Sequence, residues 1–261
     1  VLYYKTFELT PAHEWVVFVH GAGGSSSIWY KQLRDFKHHF NVLLLDLRGH
    51  GHSQDEGGKH ISKYTFNEIS QEILEVLDHA KIESAHFVGI SLGTVLIRNL
   101  HDMSPQRLKS MILGGAVMRL NTRARILSLL GDWFKTALPY MWIYKLVAWI
   151  IMPRKRHKKS RTLFVNEAKK LCQKEFVRWY RLSYEINGLL RYFTETNHSV
   201  PVLYLMGDDD YMFLPYVRKL VGKQELSNLV VISKSGHVCN VDQPEVFNRQ
   251  AILFIQSLRH K

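Results

Sequence analysis

The stretch Gly89-Ile90-Ser91-Leu92-Gly93 sets a serine hydroxyl between two glycines. A serine alone is a weak nucleophile. It needs a base to take its proton, an acid to orient that base, and N–H donors for the oxyanion that forms on the attacked carbonyl. The chain offers a candidate for each. His237, in Ser233-Lys234-Ser235-Gly236-His237, is the candidate base, and the run Asp208-Asp209-Asp210 supplies an acid. The loop His20-Gly21-Ala22-Gly23-Gly24 is thin enough for backbone amides to approach a carbonyl oxygen. Ala22 is the first expected oxyanion donor and Leu92, directly after the serine, the second. A Gly-x-Ser-x-Gly match arises by chance in roughly one chain in ten of this length, so the partners and their positions carry the weight.

Each candidate follows a short apolar run rich in β-branched residues. Such runs occupy 15–19, 41–45, 85–88, 110–113, 201–206 and 229–232, and read as buried parallel strands. Helix-length segments separate them. Thr65 and Glu68 form a capping box ahead of an apolar face of Ile69, Ile73, Val76 and Leu77. Near the end, Asp242 is the expected N-cap of a helix with Pro244 in its first turn and Phe247, Ala251, Phe254 and Leu258 along one side. This alternation predicts an α/β fold with an open, mostly parallel sheet covered by helices on both faces. Ligands of such sheets bind outside the carboxyl ends of the strands, where Ser91, the aspartates and His237 all fall. A strand that turns straight into a helix strains the serine between them, and small neighbours relieve the crowding.

From Met118 to Glu195 the strand signal stops, and the text becomes helical, aromatic and basic. The net charge of +12 belongs to this part, where residues 119–195 hold 17 Lys/Arg against 5 Asp/Glu. The expected division is a core of residues 1–117 and 196–261 with a helical, basic cap over 118–195. Within the cap, residues 138–152 (LPYMWIYKLVAWIIM) are short of the roughly 20 residues that cross a bilayer and read as a lid helix. Residues 154–161 (RKRHKKSR) read first as a solvated face. Next to a Trp-bearing helix they are also suited to anionic lipid headgroups, whereas the aromatic platforms of a nucleic-acid site are missing.

Two cysteines, Cys172 and Cys239, are too few for a disulfide framework, and no secretion signal opens the chain, so the expectation is a cytoplasmic protein. Cys239 reads as packing, and His50 and His52 as parts of a loop near the site in preference to metal ligands.

The segments HGAGGSS, DLRGHGHS, GISLG, GDDD and SGHVCNVDQPE, in this order and spacing, resemble the α/β-hydrolase fold family, over residues 14–117 and 200–258. They are similar to its small lidded serine hydrolases, which include carboxylesterases, monoacylglycerol lipases and the carbon–carbon bond hydrolases of aromatic degradation. The resemblance implies Ser91 as nucleophile, His237 as base and Asp210, the last aspartate of the Gly-x-x-Asp pattern, as acid; Asp208 and Asp209 remain alternatives within the run. Members that use an aspartate nucleophile, the dehalogenases and epoxide hydrolases, are set aside because Ser91 holds that position. The expected activity is hydrolysis of a small-molecule carboxylic ester with an apolar acyl or alcohol portion, without metal or organic cofactor. Hydrolysis of a carbon–carbon bond in a vinylogous diketone is the alternative chemistry, and a non-catalytic ligand-binding or membrane-associated protein of this fold the alternative class. Oligomeric state is not legible in the sequence.

Overall fold

A computed structural model describes residues 1–54, 64–118 and 139–259. The apolar runs become strands β2 (Trp15–Val19), β3 (Asn41–Leu45), β4 (Ala85–Ile90), β5 (Leu108–Gly114), β6 (Val202–Gly207) and β7 (Ser227–Ile232), preceded by β1 (Tyr4–Phe7). They form one sheet in the order β1-β3-β2-β4-β5-β6-β7, with β1 antiparallel to β3 and every other pairing parallel. Strands β3, β4 and β6 are buried along their whole length because helices cover both faces.

Successive strand residues point to opposite faces, so each strand feeds two cores. Val16, Phe18, Val42 and Leu44 meet α1 (Tyr30–Phe36) and α10 (Pro244–Leu258), while Val17, Val19, Leu43 and Leu45 meet α2 (Phe66–His79), α3 (Leu92–Met103) and α8 (Leu214–Val221). Of the capping box expected at α2 one arm forms: the Thr65 side chain accepts the Glu68 N–H at 3.1 Å, while the Thr65 N–H donates no return bond to the Glu68 carboxylate among the described residues.

Asp242 does not cap the last long helix. It ends a short turn, α9 (Cys239–Asp242), and Gln243 precedes α10 without a side-chain cap. Pro244 has no N–H to be satisfied, and the Asp242 carboxylate is instead held by the Gly236 N–H at 2.8 Å and by the Ser160 hydroxyl.

Between β5 and β6 lie α4 (Tyr140–Ile151), α5 (Lys158–Ala168), α6 (Gln173–Arg181) and α7 (Ser183–Glu195). Residues 119–138, the first part of the expected cap, lie outside the described residues. Trp179, Leu182, Ile186, Leu190 and Phe193 join the core of α2 and α3, and Ala148 and Met152 join the opposite one. Polar ties add to this packing. Arg154, Arg156 and His157 converge on Asp209, Trp179 Nε1 donates to the Arg48 carbonyl at 3.0 Å, and Ser25 donates to Glu167 at 2.7 Å. The basic stretch 154–161 is thus not uniformly solvated: three of its members anchor these helices to the sheet, and Lys155, Lys158 and Lys159 are exposed. No helix among the described residues is long and apolar enough to cross a membrane.

Candidate active site

One residue, Ser91, separates β4 from α3, and its backbone is left-handed with φ 54° and ψ −121°. That conformation is costly for a residue with a side chain and is held by its surroundings. The Ser91 N–H donates to the Gly114 carbonyl at 3.0 Å, and its carbonyl accepts from the N–H and hydroxyl of Thr94 at 2.9 and 2.6 Å. The flanking glycines permit the approach: a Cβ on Gly93 would stand 2.3 Å from the Val19 carbonyl oxygen, and one on Gly89 2.6 Å from the Ile97 side chain. The turn therefore lifts the hydroxyl onto the carboxyl rim of the sheet.

There it meets residues from two other strand ends. His237 Nε2 lies 2.9 Å from Ser91 Oγ, and His237 Nδ1 lies 2.9 Å from Asp210 Oδ2. An ionised carboxylate only accepts, so Nδ1 carries the hydrogen and Nε2 is left free to accept from the serine. The other Asp210 oxygen takes the Phe213 N–H at 3.3 Å. Both partners are nearly sealed, with His237 3% and Asp210 1% exposed. The two neighbouring aspartates do other work: Asp208 accepts the Ser235 N–H at 3.1 Å, bracing the loop that carries His237, and Asp209 holds the cationic cluster described above. Burial pushes the Asp208 carboxyl up, but the N–H groups of Lys234 and Ser235 outweigh it and leave the group below the ordinary range.

Ala22 and Leu92 both line the cavity beside Ser91, and neither N–H donates to a partner among the described residues. Leu92 opens α3, where free N–H groups collect. The loop bearing Ala22 is fixed by two buried imidazoles. His50 Nε2 accepts the Gly23 N–H at 2.9 Å while its Nδ1 donates to the Arg48 carbonyl at 2.9 Å. His20 Nδ1 donates to the Gly21 carbonyl at 2.8 Å while its Nε2 accepts the Leu47 N–H at 2.9 Å. Burial, with the neighbouring His20, pushes His50 down to about 3, so it works as a neutral bridge. Both its ring nitrogens are spent, which leaves none for a metal. His52 is largely exposed and rests against Asp46, and among the described residues no cluster of three His, Cys, Asp or Glu could hold a metal ion. Cys239 is buried with its S–H toward the Leu205 carbonyl, and burial pushes its thiol up, away from a reactive thiolate.

Above Ser91 and His237 lies a cavity of about 250 Å³ roofed by α4, α5 and α6. Its walls are mostly apolar, among them Ile28, Val147, Ile151, Leu163, Phe164 and Trp179. Tyr144, Ser160, Glu167 and Tyr180 are among the polar side chains of the roof, and Glu167 is occupied by Ser25 and by Lys170 at 2.6 Å. Tyr144, Glu167 and the grip of His50 on Gly23 escape sequence reasoning, because each depends on where α4, α5 or a distant loop comes to rest.

A mostly parallel sheet with a tight strand–serine–helix turn after β4, an imidazole and a carboxylate on later strand ends, and a helical roof between β5 and β6 defines an α/β architecture with a candidate site on its carboxyl rim. A family model described as the alpha/beta hydrolase fold matches residues 14–144. This chain belongs to the α/β-hydrolase family. Over 98 residues, 38% of this chain, it is 35% identical to the dihydrolipoyllysine-residue acetyltransferase component of an acetoin cleaving system from Pseudomonas putida; the match spans 25% of that longer protein. Over 251 residues it is 24% identical to the uncharacterized carboxylesterase nap of Bacillus subtilis, covering 93% of this chain and 79% of the relative. In fold it is similar to an enol-lactonase from Burkholderia xenovorans, with a TM-score of 0.79, 21% identity, and coverage of 98% of this chain and 96% of the other.

Proposed function

We propose that the protein is a serine hydrolase that cleaves carboxylic esters whose acyl or alcohol portion is apolar, through an acyl-enzyme on Ser91. The observation that carries this reading is the unbroken relay from Ser91 Oγ through His237 to Asp210, with 2.9 Å at each step, opening into an apolar cavity. His237 Nε2 takes the hydroxyl proton as Ser91 Oγ bonds to the ester carbonyl carbon, and Asp210 stabilises the imidazolium and holds its tautomer. The negative oxygen is received by the N–H groups of Ala22 and Leu92. As the carbon–oxygen bond to the alcohol breaks, His237 returns the proton to the leaving oxygen. Water then attacks the acyl-enzyme and gives its proton to His237, which returns it to Ser91 Oγ as the acyl bond breaks, releasing the acid and the free Ser91 hydroxyl. No step calls for a metal or organic cofactor.

The cavity also bears on the alternative chemistry. A dienol carboxylate would want a cationic clamp, but among the described residues no Lys or Arg lines the cavity, and Glu167 sets a carboxylate in its wall. These features favour a neutral ester. The relative named a carboxylesterase, aligned over most of both chains, supports the same bond type.

The test is fluorophosphonate labelling together with turnover of chromogenic esters from acetate to palmitate, comparing the wild type with Ser91→Ala. Ser91→Ala is expected to lose labelling and to lower kcat by on the order of 10⁵- to 10⁶-fold. Equal labelling and turnover in the variant would refute the assignment.

A further inference from the structure

Helix α4, YMWIYKLVAWII, carries a single charged residue, Lys145. Its inner stripe of Tyr144, Val147, Ala148 and Ile151 faces the cavity. At the same spacings of three and four, Trp142, Lys145, Leu146 and Trp149 form a second stripe on the outside. Trp142 is 68%, Leu146 53% and Trp149 58% exposed. A helix on the surface of a soluble domain is ordinarily polar outward, and one that is apolar all round is covered on both sides. Among the described residues nothing covers this outer side, and two tryptophans and a leucine on one exposed face mark an interaction surface.

Cations border that face. The Arg161 guanidinium lies 4.1 Å from the centre of the Trp149 ring and donates to the Met152 and Arg154 carbonyls at the carboxyl end of α4. Lys158 stands one turn before Arg161 on α5, at the edge of a groove it lines with Tyr30 and Lys159, and Lys155 lies just ahead of that helix. Lys145, Lys155 and Lys158 are exposed and form no ion pair among the described residues. Asp209 is taken up by Arg154, Arg156 and His157, none of them one of these lysines.

We propose that this face docks the protein on an anionic phospholipid bilayer, with Trp142, Leu146 and Trp149 entering the boundary between headgroups and acyl chains and the bordering cations on lipid phosphates. Charge decides the occupant. A second copy docked about a two-fold axis would set the same cations against themselves, whereas the inner leaflet-type negative surface complements them and takes tryptophan at its interface. At twelve residues, α4 lies in the plane of the interface and does not span the bilayer. The inference stands apart from the role given to Ser91.

The experiment is sedimentation of the whole chain with phosphatidylcholine vesicles, with and without phosphatidylglycerol, at low and high salt, with tryptophan emission read in parallel. Binding to the anionic vesicles is expected, with blue-shifted emission and weakening by salt. Trp142→Ala/Trp149→Ala and, separately, Lys145→Glu/Lys158→Glu should each weaken binding about tenfold or more, while fluorophosphonate labelling and turnover of a soluble short-chain ester stay at wild-type levels and report an intact fold. Binding to neither vesicle, equal binding to both, or self-association that the same variants abolish would overturn the proposal.

Discussion

Three successive aspartates carry three separate tasks, and the distinction is one of direction. Asp210 points to His237, Asp208 to the amide of Ser235, and Asp209 to Arg154, Arg156 and His157. Asparagine preserves the size of each side chain and removes the charge, so the three single variants separate the tasks. Asp210→Asn is expected to lower kcat by on the order of 10³- to 10⁴-fold, because an amide at that point favours the wrong imidazole tautomer. Asp209→Asn should leave kcat within about threefold and act on KM and thermal stability, since it frees the cationic anchor of the roof and leaves the His237–Asp210 contact in place. Steady-state kinetics on a soluble chromogenic ester check both. A loss of kcat from Asp209→Asn as large as that from Asp210→Asn would reassign the acid.

At the scale of elements, the β4–Ser91–α3 turn leaves no room for a side chain at Gly93. Gly93→Ala would drive a methyl into the Val19 carbonyl, backbone that cannot swing aside, and is expected to cost about 3 kcal/mol or more. Gly188 in α7 is the contrast. It is exposed, with nothing within 4 Å of an added Cβ, so Gly188→Ala should stabilise by about 0.5–1 kcal/mol through helix propensity. Urea unfolding midpoints test the pair, and opposite signs are required. The turn, the sheet and the order of the chemical groups are legible in the sequence because they depend on local period and on residues adjacent in the chain. Thr65 shows this for a helix cap. Asp242 shows the limit: its letters suit an N-cap, but the loop of Gly236 and the hydroxyl of Ser160, 82 residues away, compete for the carboxylate and win. The roof is hardest to read for the same reason. Helix α4 is apolar on both faces, so periodicity alone does not say which side covers the cavity, and the task of Asp209 is visible only once 154–157 lies against it.

For the molecule as a whole, buried neutral histidines set the acid limit of stability. Burial pushes His50 down to about 3, and His86 and His198 each down to about 4. In the unfolded chain all three protonate near 6.5. Between roughly pH 6.5 and 4 the unfolded state therefore binds more protons than the folded one, and stability falls as pH falls. Above pH 6.5 their contribution is fully present. The same descent adds positive charge to a chain already at +12, and self-repulsion works in the same direction. Thermal melts are expected to show a plateau above about pH 7 and a drop of order 5–10 °C by pH 4.5, reached before most carboxylates are protonated. His50→Gln, whose amide has a donor and an acceptor but cannot charge in this range, should flatten part of that slope and lower Tm at pH 8, because an amide does not reproduce the span from Gly23 to Arg48. A wild-type Tm unchanged from pH 7.5 to 4.5 would mean that these imidazoles are not held neutral by the fold.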